Sequence, residues 1–160
     1  MSLSTPDPLN EKIKNLIRDW MSDRGLYKND NILNKGVTFQ LNGVSSVGIG
    51  FSVIQPIALK RTLVVGSTIE VEASQYEALK NLPAKELDEF IFGLKRELIF
   101  QSPDFVFVPP VPKSIHFSKE IMFDELTEGK IREVLERITR CVLWVAWSMN
   151  RKFGNSLEKK

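Results

Sequence analysis

Apolar residues in this chain recur at helical spacing in some stretches and at every second position in others, so the fold must combine helices with half-buried strands. Ile13, Leu16, Ile17, Trp20 and Met21 are spaced by three and four, which predicts an amphipathic helix. Asp7 is placed to accept from the first free amides, and Pro8 suits the first helical position because it has no amide hydrogen. Gly25 stops the helix. The period then falls to two. Val37, Phe39 and Leu41 alternate with Thr38, Gln40 and Asn42, and Asn42-Gly43 predicts a hairpin turn. Val47, Ile49, Phe51 and Val53 predict a second strand, which Pro56 ends. A third strand is predicted over 62–72, with Leu63, Val65, Ile69 and Val71 inward and Gly66 allowing a bend.

Helical spacing returns with Tyr76, Leu79 and Leu82 in a short lead-in helix. Pro83 opens the next helix, whose apolar face is Leu87, Phe90, Ile91, Leu94 and Leu98, and Ser102-Pro103 ends it. Strands are predicted at 105–108 and 115–123, separated by Pro109-Pro110-Val111-Pro112. Thr127 caps a last helix over 128–153, and Gly154 breaks it. The expected fold class is α+β: helix, three antiparallel strands, helix, two strands, long C-terminal helix. One domain is expected over 7–154, with flexible ends at 1–6 and 155–160.

A chain of 160 residues with 42% hydrophobic and 26% charged residues has enough apolar material for a core without crosslinks. Its 22 basic and 20 acidic residues nearly balance, leaving a formal charge of +2 and no clustered basic face. Cys141 is the single cysteine, which excludes an internal disulfide and a thiolate-rich metal site. The first residues lack the basic start and apolar run of a signal peptide, and no apolar stretch approaches the roughly 20 residues of a membrane span. A cytoplasmic location is the expectation.

The residues that could carry chemistry point to structural roles. His116 is the only histidine, on a predicted strand and opposite in facing to Ile115 and Phe117, with no second ligand for a metal nearby. No serine sits in a Gly-x-Ser-x-Gly elbow. Gly48 and Gly50 fall in a strand pattern rather than between a strand and a helix, so they read as places of close approach, not as a phosphate loop. Asp88 with Glu89, and Asp124 with Glu125, favour the positive ends of helices. Cys141, among Val142, Leu143 and Trp144, reads as a small buried hydrophobe with a raised pKa. No catalytic residue, metal or cofactor is assigned, and the chain is read as not an enzyme. His116, Gln55 and Tyr76 are the seeds available for a small-molecule pocket beside the sheet.

The last helix carries more information. Ile131, Val134, Leu135, Ile138, Val142, Val145 and Met149 form one stripe, opposite charged residues in the first half. From Val142 to Trp147 the helix is apolar almost all round, as when it is buried centrally or against a second chain. Trp144 and Trp147 either pack under the first helix near Trp20 or form a dimer or partner surface. The candidate interface is therefore Trp144, Trp147 and Leu143, joined by Phe90, Phe92 and Ile99, the last two lying off the main stripe of their helix. Arg151, Lys152, Lys159 and Lys160 form a basic end that complements the helix dipole, with nucleic acid the less favoured explanation.

Three stretches carry a family resemblance: Ile13 to Met21 before a glycine, Phe51-Ser52-Val53-Ile54-Gln55-Pro56 at a strand end, and Ile121 to Thr127 leading into the last helix. With the element order, they resemble an uncharacterised, mainly archaeal domain-of-unknown-function family whose fold is similar to that of type III secretion chaperones. The resemblance implies a twisted antiparallel sheet flanked by helices, often dimeric, that offers apolar patches to a protein partner. The expected function is a protein-interaction or chaperone-like module, acting as a homodimer. The alternatives are a nucleic-acid-associated regulator or a small-molecule sensor. No membrane partner is expected.

Overall fold

The structure is a computed structural model and describes residues 7–31 and 35–154. The ends expected to be loose, 1–6 and 155–160, lie outside the described residues, as do Lys159 and Lys160 of the basic end. The elements run α1 (Pro8–Asp23), β1 (Tyr27–Asp30), β2 (Val37–Val44), β3 (Gly50–Pro56), β4 (Thr62–Glu70), α2 (Ala73–Lys80), α3 (Ala84–Ile99), β5 (Asp104–Val108), β6 (Ser114–Met122), a 3-10 turn (Phe123–Glu125) and α4 (Glu128–Phe153). The strands make one antiparallel sheet in the order β1-β2-β3-β4-β6-β5. The α+β class and element order expected from the hydrophobic periods are those observed, with β1 added at one sheet edge. By contacts the chain forms two compact units, one from residues up to Val65 with Glu120–Arg132, the other from Gly66–Lys119 with the remainder of α4. The elements β4, β6 and α4 run through both.

In the first unit, α1 starts where Asp7 Oδ1 accepts from the Leu9 amide at 2.9 Å and ends before Gly25 at φ +68°. Ile17, Trp20 and Met21 are buried with Phe39, Leu41, Phe51, Val53, Leu63 and Val65, the inward residues of β2, β3 and β4. Leu16, expected on the apolar stripe, is exposed. The Asn42-Gly43 hairpin does not exist. Both residues lie inside β2, paired with Ser52 and Phe51, and the chain turns at 45–49 instead. There Ser45 and Ile49 share a backbone bond of 2.8 Å, and Gly48 takes φ +83°. Val47, expected inward on a strand, is exposed in that turn. Gly43 is required for another reason. A Cβ there would stand 2.6 Å from the Leu26 carbonyl oxygen and 2.6 Å from the Phe51 ring. Gly48 and Gly50, expected at a close approach, have nothing within 4 Å of an added Cβ.

In the second unit, the α4 stripe is buried as expected, from Val134 to Met149, together with Cys141. Leu79 of α2, Leu94 and Leu98 of α3, and Ile115 and Phe117 of β6 complete the core. Gln75, itself buried, donates to Asn150 Oδ1 at 2.8 Å and to the Gly154 carbonyl at 3.0 Å, closing the end of α4 where its last carbonyls lack helical partners. Gly154, at φ +76°, ends α4 as expected. Burial pushes the Cys141 thiol up to about 11.

Candidate interaction surface on the last two helices

Within the second unit, α3 and α4 leave an open groove of about 370 Å³. Glu89, Phe90, Gly93 and Leu94 line it from α3, and Trp144, Ser148, Arg151 and Lys152 from α4. Leu94 is buried and forms the floor. Phe90 is half-buried and held by an edge-to-face contact with Phe153, ring centroids 5.5 Å apart. Gly93, in mid-helix, has nothing within 4 Å of an added Cβ, so it keeps the groove open without serving any contact inside the chain. The rim is charged. Lys152 Nζ is 3.8 Å from Glu86, and Lys85 Nζ is 4.0 Å from Glu89.

Each residue of the candidate interface can now be placed. Trp144 is 38% and Trp147 64% exposed, so neither belongs to a core beneath α1; among the three tryptophans that position is taken by Trp20, at 7%. Leu143 is half-buried. Phe92 and Ile99 are 65% and 70% exposed and lie seven residues apart on one side of α3. On that same flank Lys95 sits over the Phe107 ring of β5 at 5.0 Å. The groove thus brings together Phe90 and Trp144 but not Phe92 or Ile99, which form a second patch. Phe100, 81% exposed, and Val106 of β5, 58% exposed, are further apolar residues facing water that were not singled out from sequence.

A further arrangement becomes visible only when the helix is wound. Arg140, Trp144, Trp147 and Arg151 stand at steps of four, three and four, all exposed. At 100° per residue they fall within roughly 60° of one another. The two arginines therefore bracket the two tryptophans on one face, although in the linear sequence they sit apart. The signal was present in the helical spacing.

The seeds of a pocket beside the sheet have other employment. Gln55 is buried in the first unit, where its amide donates to Asn10 Oδ1 at 2.9 Å. In the second unit, His116 is exposed with Nδ1 2.8 Å from Thr68 Oγ1, while Lys80 and Lys113 lie over the Tyr76 ring. None of them lines the α3–α4 groove. No group of three or more His, Cys, Asp or Glu side chains among the described residues is arranged to hold a metal ion. A separate charged cluster in the first unit has a structural role. Asp30 accepts from Arg18 at 2.5 Å and from Tyr27 at 2.5 Å, with Lys14 at 3.5 Å. Burial alone would raise the Asp30 pKa, but those two hydrogen bonds and the nearby cations outweigh it and hold the carboxyl below its ordinary range.

The sequence over residues 13–149 matches the family described as "Uncharacterized conserved protein (DUF2299)", and the chain belongs to that family. No curated protein matches the sequence. An uncharacterized protein from Methanothermobacter thermautotrophicus has a similar structure, with a TM-score of 0.82 at 20% identity, covering 88% of this chain and 99% of that one. A chain of the HopA1–SchA chaperone–effector complex is also similar, with a TM-score of 0.52 at 14% identity, covering 92% of this chain and 97% of that one. At these identities the likeness is one of fold, and the second of them bears out the type III secretion chaperone-like fold that the family resemblance implies. Among the described residues, no helix is long and apolar enough to cross a membrane.

Proposed function

We propose that this chain is a non-enzymatic, chaperone-like protein-interaction module that acts in the cytoplasm as a single domain over 7–154. The observation that carries the reading is the outer face of α4, where Trp144 and Trp147 are held in water by a helix whose opposite side is fully buried. Exposed tryptophan costs solvation free energy that a bound surface recovers, and it is enriched among residues that dominate binding. The likeness to a chain of a chaperone–effector complex supports a protein as the partner. Trp144, Trp147 and Leu143 of α4 and Phe90 of α3 form the partner-binding surface.

The chain pairs with a second copy through the other patch. Phe92 and Ile99 lie on the side of α3 from which Lys95 reaches Phe107 of β5, an edge strand with one neighbour and an exposed Val106. An apolar edge of this kind is a template for strand pairing. Native mass spectrometry of the protein, purified gently from its own cells, tests the function. A complex of two copies with one recurring partner protein is the expected mass. The chain alone with a small-molecule adduct would contradict the reading and favour a sensor.

A further inference from the structure

The exposed stripe on α4 and the groove beside it also have a chemistry that selects among partners. Neither the Arg140 nor the Arg151 side chain has an ion pair or hydrogen bond among the described residues, whereas the nearby Arg137 is paired with Glu133 at 3.0 Å. Two cations with no side-chain partner among the described residues therefore bracket two exposed tryptophans. Gly93 supplies an independent observation. Glycine weakens a helix interior relative to alanine, and here no neighbour requires its lack of a side chain. What it provides is empty space over Leu94, between Phe90 and Trp144.

We propose that this face docks an acidic amphipathic peptide segment of a partner protein, with carboxylates on Arg140 and Arg151 and one large apolar side chain in the groove at Gly93. The proposal rests on the protein-interaction reading and specifies its partner. A second copy of this chain fits the stripe poorly. Antiparallel two-fold pairing centred on the tryptophans sets Arg140 against Arg151, and parallel pairing sets each arginine against itself. A nucleic acid fits poorly as well. A phosphate backbone is tracked by a continuous basic groove, whereas this face offers Arg140 and Arg151, 11 residues apart with two tryptophans between them. An acidic segment instead pairs with both arginines and gains their charge-assisted hydrogen bonds.

The test is fluorescence anisotropy with the full chain and a labelled short peptide in which Glu and Asp alternate with Leu and Phe. The comparators are the same peptide with Lys replacing its acids, an oligothymidylate, and vesicles containing phosphatidylglycerol. The acidic peptide is expected to bind best, more weakly as salt rises. Arg140→Glu with Arg151→Glu lowers its affinity by about thirtyfold or more, the loss associated with a binding hot spot. Gly93→Leu removes binding while the melting temperature holds or rises. No binding of the acidic peptide, equal binding of the lysine peptide, preference for oligothymidylate or vesicles, or undiminished binding by Gly93→Leu would overturn the proposal. A native partner complex that persists in these variants but is lost in Trp147→Glu would leave the interaction reading standing and remove only the acidic docking site.

Discussion

Gly43 and Gly93 both lie inside regular elements, and their surroundings give them opposite consequences. At Gly43 a methyl group collides with backbone that cannot move aside, since the Leu26 carbonyl oxygen would be 2.6 Å away. Gly43→Ala is expected to destabilise the fold by about 3 kcal/mol, at the upper end of overpacking costs, read as a lower urea midpoint. At Gly93 the methyl meets nothing, and Gly93→Ala is expected to stabilise by about 0.5–1 kcal/mol in the same measurement. The sequence identified Gly43 as conformationally free and assigned it to a turn. The neighbours that make it indispensable come from α1, the chain after it, and β3, and are invisible to a local pattern. Cys141 was legible because its neighbours in sequence are also apolar. Its thiol, pushed up to about 11, stays protonated in the folded chain at neutral pH. Iodoacetamide should label it only upon unfolding, and rapid labelling of the folded protein would contradict this.

At the scale of elements, long segments with strong periods were legible and short ones were not. The helix α4 was found over its whole length because seven apolar residues keep a single stripe and Thr127 and Gly154 mark its ends. Its outer face was harder to read. Whether an all-round apolar stretch is core or surface depends on what packs around it, and that information is not local. Strand β1 was missed because its four residues, Tyr27–Asp30, have no apolar alternation. It is held by charge, through Asp30 to Arg18 and Tyr27 on one side and pairing with β2 on the other. Asp30→Asn is therefore expected to cost about 2 kcal/mol, the value of a hydrogen bond to a charged group. The sign with pH follows from the lowered pKa. The charged carboxylate stabilises the fold at neutral pH, and that contribution is lost as pH falls below the ordinary carboxylate range and through the folded-state value. An Asp30→Asn variant whose acid limb is as steep as the wild type's would show that other carboxylates set it.

At the scale of the whole molecule, we assign the two exposed apolar patches to different partners. We assign the patch of Phe92, Ile99 and Val106, all exposed, to self-pairing of the chain. The α4 stripe, with arginines at both ends, is the face we assign to a different molecule. Ile99→Glu should accordingly yield a monomer by sedimentation while keeping the partner surface intact, and a dimer in that variant would move the self-contact elsewhere. The class of fold was legible because the order of hydrophobic periods constrains it, and the family match over residues 13–149 agrees with the resemblance read from the residues. The partner was not legible, because apolar residues facing water and apolar residues facing a core have the same spelling.

The central claim is that Trp147 meets a partner protein rather than the protein's own core. The most direct measurement compares native masses of wild type and Trp147→Glu, each purified from the source cells, alongside their melting curves. The expected result is a partner protein bound to the wild type and absent from the variant, with unchanged melting, because Trp147 is 64% exposed. A variant that retains the same complex, or one that loses it only by unfolding, would contradict the claim.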